Sequence, residues 1–423
     1  MATLIGVMIG SGIFRTPATV ASYLPSPGLF MLVWVVGGLL ALSGAMVFGE
    51  LASMFPFTGG RYVFLREGIS PLVAFVYAWS NIILLRPVSH GAIALVFGSY
   101  LATLVPGAAG RERELAVTVL LLLTAANYRS VLLSSALTTI TSAAKVVALA
   151  GIGLMILVAP APEAAAHPAL LTSTASWRGF GLALVAVMWT YSGWGSTTYI
   201  SGEVKRAERT MPLVLASGVA FVMVLFVVVN LAFLHALPIQ TIAGSKAVAA
   251  DAAASIFGEA GRRFIAMVVV ISTLGSLNAV SLAGPRLPFA IAQDVPYISR
   301  LGAVHRSFGT PYIAVIFTAG MSITLLWSHS FEQLANAFIL GTWPFYVLCG
   351  VALFRLRRSR PDAPREFKVP GYPLVPILFI VSALAMLLNA AIADPPKALI
   401  GSAILLSGVP VWFLLQIGER RRR

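Results

Sequence analysis

The sequence predicts an all-α polytopic membrane protein with twelve transmembrane helices, and three observations carry that prediction. Of its 423 residues 58% are hydrophobic and only 10% are charged, and the mean hydropathy is +0.90, a composition that excludes soluble globular classes. Apolar runs long enough to cross a bilayer core of about 30 Å recur along the whole chain. They fall at residues 2–24, 28–54, 71–104, 114–128, 134–159, 177–203, 211–237, 261–284, 311–328, 333–355, 373–393 and 397–417. Pro25, Pro27, Pro71, Pro212, Pro311, Pro373 and Pro396 stand at the edges of these runs, where a missing amide proton is harmless.

The loops decide orientation. The net charge is +14, and its placement matters more than its size. With the N-terminus inside, most basic residues fall on one side, among them Lys205, Arg206, Arg209, the cluster Arg355 to Lys368 and Arg420 to Arg423, while Arg15, Arg86 and Lys145 lie within spans. By the positive-inside rule the rich side is cytoplasmic, as are both termini. The charge is therefore topological, so membrane lipid is the expected surrounding and nucleic acid is excluded as a partner. In the outer stretch 237–261 the run AVAADAAASIFGEAG is expected to form a short surface helix with Asp251 and Glu259 solvated.

Other classes are absent from the motifs. The single Cys349 has no partner for an intrachain disulfide. No basic leader with a small-residue cleavage site is present, so no secretory signal is expected. Neither a His, Cys or carboxylate cluster with metal-ligand spacing nor a Gly-Lys-Ser/Thr phosphate loop occurs. No metal, no cofactor and no enzymatic activity are expected.

Two spans are flawed in matching places. The first contains VMIGSGIFRTP, with Gly10, Ser11 and Gly12 at mid-span, residues that weaken a helix by about 1 kcal/mol per glycine and by side-chain competition at serine. The residues before Gly10 would reach only about 14 Å as a helix. The sixth span reads ALVAVMWTYSGWGSTTYISGEV, with Ser192, Gly193, Gly195 and Ser196 among Trp189, Tyr191 and Trp194. An offset of five spans is what an inverted repeat of five plus five helices produces. The first repeat would then cover residues 1–159 and the second 177–357, with two further helices at 373–417, all in one transmembrane domain. A broken helix exposes amides suited to a carboxylate and carbonyls suited to an ammonium, and such backbone is tolerated only where it lines a cavity or is buried. A zwitterion of amino-acid size satisfies both ends. Close helix packing through small residues is the alternative reading.

Charged residues inside spans are functional candidates by default. Lys145, in LTTITSAAKVVALAG, would bridge the span-one backbone to Ser272, Thr273 and Ser276 of span eight, in ISTLGSLNAV, where a sodium-coupled protein of this architecture holds its ion. It would either staple the helices or exchange a proton during the cycle, and both roles argue against sodium. Arg86, in LLRPVSH, is expected to be structural, satisfying a carbonyl freed by Pro87. Glu50 and Glu203 read as solvated anchors at the cytoplasmic ends of their helices, with gating ion pairs as the alternative. Arg15, one turn past the break, would attract an acidic substrate or pair with a neighbour.

Several stretches, in order, resemble the amino acid, polyamine and organocation superfamily, and within it bacterial members of the L-type amino acid transporter family. They are MIGSGIF, GELASMFPFTGGRYVFLREGISPLVAF, LLRPVSHGAIALVFGSY, KVVALAGI, MWTYSGW, GEVKRAERTMP, STLGSLNAV and REFKVPGYPLVP. The resemblance implies a leucine-transporter-type fold with broken helices 1 and 6 in a bacterial cytoplasmic membrane. It also implies that Ser11 and Gly12 meet the substrate carboxylate, that Ile9, Trp189 and Ser192 offer carbonyls to the ammonium, and that Trp189 is the gate. Lys145 matches the family's lysine at the vacated sodium position. With the residues of the two breaks, the expected substrate site is Ile9, Gly10, Ser11, Gly12, Trp189, Tyr191, Ser192 and Gly193.

Departures from the family pattern bear on specificity and partners. Trp189 stands where Phe is common and Ser192 where Gly is frequent, and the stretch after span eight is shortened to AQDVP. The loop VPGAAGRERE lacks the cysteine through which animal members join a heavy chain, so no disulfide-linked partner is expected, and a monomer or weak homo-oligomer is. The resulting expectation is sodium-independent exchange of neutral L-amino acids by alternating access. Proton-coupled symport, a cationic amino acid or polyamine exchanger, and an amino acid sensor are the alternatives; a sensor would be expected to carry a longer cytoplasmic tail than Gly418 to Arg423.

Overall fold

The computed structural model describes residues 1–129, 132–160, 162, 176–283 and 312–420, and it is helical throughout, with no strand among those residues. The stretch AQDVP lies outside them. The first span is two short helices, α1 (Ala2–Met8) and α2 (Gly12–Tyr23), separated at Ile9, Gly10 and Ser11. α3 (Pro27–Met54) starts on Pro27 after extended Ser26, the position where a missing amide proton costs nothing. A turn through Gly59 and Gly60, both at positive φ, leads into α4 (Arg61–Gly68).

The third span carries an interruption that no run of small residues marks. α5 (Pro71–Ser80) is capped by Ser70, whose hydroxyl accepts from the Val73 amide at 3.3 Å. It passes through a π-helical turn at Asn81–Leu85 into α6 (Arg86–Leu104). Such turns widen the helix locally and recur at functional sites. α7 (Glu112–Arg129) and α8 (Leu132–Val158) follow. The sixth span is α9 (Trp177–Thr190) and, past Tyr191 to Gly193, a 3-10 segment at Trp194–Glu203.

α10 (Ala207–Ala236) begins ahead of its expected start, so Pro212 lies inside the helix and not at its edge. The short α11 (Ile239–Gly244) leads to α12 (Val248–Ala283), bent at Gly258 (φ 65°). Its first arm holds the alanine-rich run expected on the surface, but Ala249, Ala250, Ala252 and Ala253 are buried and Asp251 pairs with Arg262 at 2.8 Å. Small side chains let this arm pack closely, which the composition of a solvated helix would not show. α13 (Tyr312–Ser328), α14 (Phe331–Ser359, started by a Ser330–Gln333 capping box), α15 (Leu374–Ala393), α16 (Pro395–Leu406) and α17 (Gly408–Arg420) complete the chain.

Among the described residues, seven helical stretches are long and apolar enough to cross a membrane, with shorter apolar helices at Ala143–Val158 and Tyr312–Ser328. The interior is built around the breaks. α2 packs on α9, α3 runs along α10, α6 lies against α12, and α1 is held between α8, α10 and α12. The outer helices α15 to α17 carry most of their apolar side chains facing outward.

Candidate functional site

Glycine brings the two breaks together. A Cβ on Gly12 would lie 2.7 Å from Thr190 Cα, and one on Gly193, at φ 105°, would lie 2.7 Å from Val7 Cγ1. Each break therefore rests on the other, and only a hydrogen fits at either contact. Close packing, the alternative reading of these small residues, is what the two contacts show.

Between the breaks lies a cavity of about 90 Å³, lined from span one by Gly10, Ser11 and Gly12 and from span six by Trp189, Ser192 and Gly193. Ser11 is the N-cap of α2 and its side chain makes no capping hydrogen bond. The first amides of α2 have no partner within their own helix, as at any helix start, and carry its positive dipole end. An acceptor of negative charge fits there.

The span-six side differs from expectation. The Trp189 carbonyl already accepts from the Ser192 amide at 3.1 Å and the Ser192 hydroxyl at 2.7 Å, so it is not free for an ammonium. Ile9 does not line the cavity, and its carbonyl faces Ser276 Oγ at 3.4 Å. Tyr191 is also outside the lining; its hydroxyl donates to the Trp34 carbonyl at 3.1 Å and its ring packs on Trp34 and Phe226. The Trp189 indole lines the cavity, edge-on to Phe338 (5.2 Å) and Phe331 (5.9 Å) of α14. Just beyond, Arg15 pairs with Glu332 at 2.8 Å and donates to the Lys246 carbonyl at 2.9 Å. Of its two readings, pairing with a neighbour is the one observed.

Lys145 sits where α8 meets α1 and α12, 4% exposed. Its ammonium donates to Ser276 Oγ at 2.6 Å and to the Gly6 carbonyl at 3.3 Å. The lysine thus reaches the backbone of span one and one hydroxyl of span eight. Thr273 instead donates within its own helix, to the Val269 carbonyl at 2.8 Å, and the buried Ser272 hydroxyl has no partner among the described residues.

Two basic groups stand in the cavity wall. Arg86 does line it, with Nε donating to Asn81 Oδ1 at 3.1 Å and Nη1 to the Val280 carbonyl at 3.4 Å; the π-helical turn sets Asn81 and Arg86 on this wall. Asn81 in turn donates to the Tyr77 hydroxyl at 3.3 Å, and Tyr77 is hydrogen-bonded to Tyr199. Arg61, which falls between the expected second and third spans and gave no sequence signal of a site, is 3% exposed and also lines the cavity. Its guanidinium stacks over Tyr346, Tyr77 and Tyr199 at 4.8, 5.2 and 5.6 Å, while Nε and Nη1 have no hydrogen-bond partner among the described residues.

At the basic end of the bundle Glu50 is no solvated anchor. It is fully buried and accepts from Arg357 Nε and Nη2 at 2.7 and 2.6 Å and from the Val369 amide at 2.7 Å. Glu203 is exposed, as expected.

Paired helix breaks facing one cavity inside an apolar helical bundle are the architecture of a carrier, and the sequence comparisons agree. The family model described as amino acid permease matches residues 1–415. The chain belongs to the amino acid permease family. It is 30% identical to the serine/threonine exchanger SteT of Bacillus subtilis over 99% of this chain and 95% of that one. Likewise it is 29% identical to the b(0,+)-type amino acid transporter 1 of Mus musculus (97% and 85% covered) and to the cystine/glutamate transporter of Homo sapiens (99% and 84%). The family is one of multi-pass membrane transporters, not of enzymes.

Proposed function

We propose that the protein moves amino acids across a bacterial cytoplasmic membrane by alternating access, in exchange and without sodium. The observation that carries this reading is a cavity shared by two helix breaks, with the start of α2 on one side and Trp189, Ser192 and Gly193 on the other. The substrate carboxylate is assigned to the Ser11 hydroxyl and the amides at Ser11 and Gly12, and Trp189 is assigned as the gate. Lys145 is assigned the place of a coupling cation, because its ammonium bridges Gly6 and Ser276. A sodium ion would need those same oxygens.

The twelve-span, five-plus-five arrangement is part of the proposal, with residues 1–159 and 177–357 as the repeats. Contacts between α2 and α9, α3 and α10, α6 and α12, and α7 and α13 support it, since elements related by a two-fold axis through the site meet their counterparts. Cytoplasmic termini follow from the basic loops. No disulfide-linked partner is proposed, the one cysteine being buried. The similar exchangers and transporters differ in the substrates they are named for, so side-chain preference has to come from this cavity; the sequence favours neutral amino acids.

The test is uptake of a radiolabelled amino acid panel into proteoliposomes, with and without internal amino acid and with sodium or proton gradients imposed. Uptake stimulated by internal amino acid and indifferent to sodium is expected. Equal uptake into empty vesicles would replace exchange by uniport or symport, and binding without uptake would favour a sensor.

A further inference from the structure

The two guanidinium groups in the cavity wall differ in what they have left to give. No carboxylate lines the cavity among the described residues. Arg86 spends its donors on the Asn81 side chain and the Val280 carbonyl. Arg61 Nε and Nη1 have no hydrogen-bond partner among the described residues, and its guanidinium lies over the rings of Tyr77, Tyr199 and Tyr346. Rings stacked on a guanidinium satisfy its faces, leaving the in-plane N–H fork, the part shaped for a planar anion.

The position is built. Gly59 and Gly60 turn the chain at positive φ, and a Cβ on Gly60 would lie 2.3 Å from Thr198 Oγ1 in the 3-10 segment. That close approach sets Arg61, the first residue of α4, under the sixth span and beside Tyr199. A neutral substrate would leave the cation buried without a counter-charge, a costly arrangement, and a cationic one would face two guanidiniums.

We infer that the cavity takes amino acids whose side chain ends in a carboxylate, and that Arg61 receives that carboxylate. This rests on the amino acid site proposed above and replaces the neutral preference suggested by sequence. The amides at Ser11 and Gly12 hold the α-carboxylate, the Arg61 fork holds the second one, and Trp189 closes over both.

L-Glutamate and L-glutamine separate the charge from the shape. The full chain in liposomes preloaded with mixed amino acids is expected to take up glutamate with at least about tenfold higher kcat/KM than glutamine, the scale of a charge-assisted hydrogen bond. Arg61→Gln should bring that ratio to about one or below, and Arg61→Lys should retain part of the preference. A wild-type ratio at or below one overturns the inference, as does a ratio unchanged in Arg61→Gln. If Arg61→Gln does not assemble, the wild-type ratio and Arg61→Lys decide. Uptake of serine and glutamine with glutamate refused overturns this inference alone and leaves the amino acid site standing; no uptake of any amino acid overturns both.

Discussion

Lys145 and Arg61 are both buried cations near the broken helices, yet their surroundings are opposite. The ammonium of Lys145 is held by the Gly6 carbonyl and Ser276, whereas the guanidinium of Arg61 has aromatic faces around it and no hydrogen-bond partner for Nε or Nη1 among the described residues. Two of the three Lys145 ammonium donors are spent on the protein. Arg61 Nε and Nη1 are spent on nothing among the described residues. Arg357 supplies a third condition, a cation answered by the buried Glu50 carboxylate.

The harshest way to perturb this series is at Arg357. Glu50→Gln removes the charge that accepts from Arg357 and from the Val369 amide, and stability should fall by about 3 kcal/mol, the usual loss when one member of a buried pair is removed, read as a lowered unfolding midpoint in detergent. Lys145→Ala strips Ser276 and Gly6 of their partner, and uptake of every substrate should drop together, on the order of a hundredfold for charge-assisted hydrogen bonds. Equal loss across substrates separates Lys145 from Arg61, whose replacement changes a ratio. If Lys145→Ala instead altered the glutamate-to-glutamine ratio, the distinction between the two cations would collapse.

Gly12→Ala probes the contact between the breaks. With Thr190 backbone 2.7 Å from the new Cβ, the helices must part, costing ~1–3 kcal/mol as overpacking does, visible as reduced thermal stability together with reduced uptake. The smallest effect belongs to Arg15→Gln. Its pair with Glu332 is partly exposed, at 21% and 33%, so at most about 1 kcal/mol is at stake, shrinking with added salt; faster uptake at low salt would mark the pair as a latch beside Trp189.

How far the sequence reveals such a site depends on whether its signal is local. The breaks at Gly10 to Gly12 and Ser192 to Gly193 were legible because small residues in an apolar run stand out without any partner. Lys145 and Ser276 were legible for the same reason, as a lone cation and a hydroxyl in otherwise apolar helices. Thr273 misled because a helical hydroxyl can donate to the carbonyl one turn back, an option no spacing pattern reveals. The Trp189 carbonyl misled likewise, since Ser192 consumes it. Arg61 was invisible for a tertiary reason: GGRY reads as a charged loop, and only the approach of Gly60 to Thr198 carries that charge inside. Glu50 needed its distant partner Arg357 for the same reason.

The decisive measurement is a structure of the protein with a bound amino acid. Ligand density is expected in the cavity between the two breaks, with the α-carboxylate within hydrogen-bond distance of the Ser11 hydroxyl and the Gly12 amide and the Trp189 ring over it. Density elsewhere in the bundle, with the start of α2 left unligated while the protein turns over substrate, would contradict it.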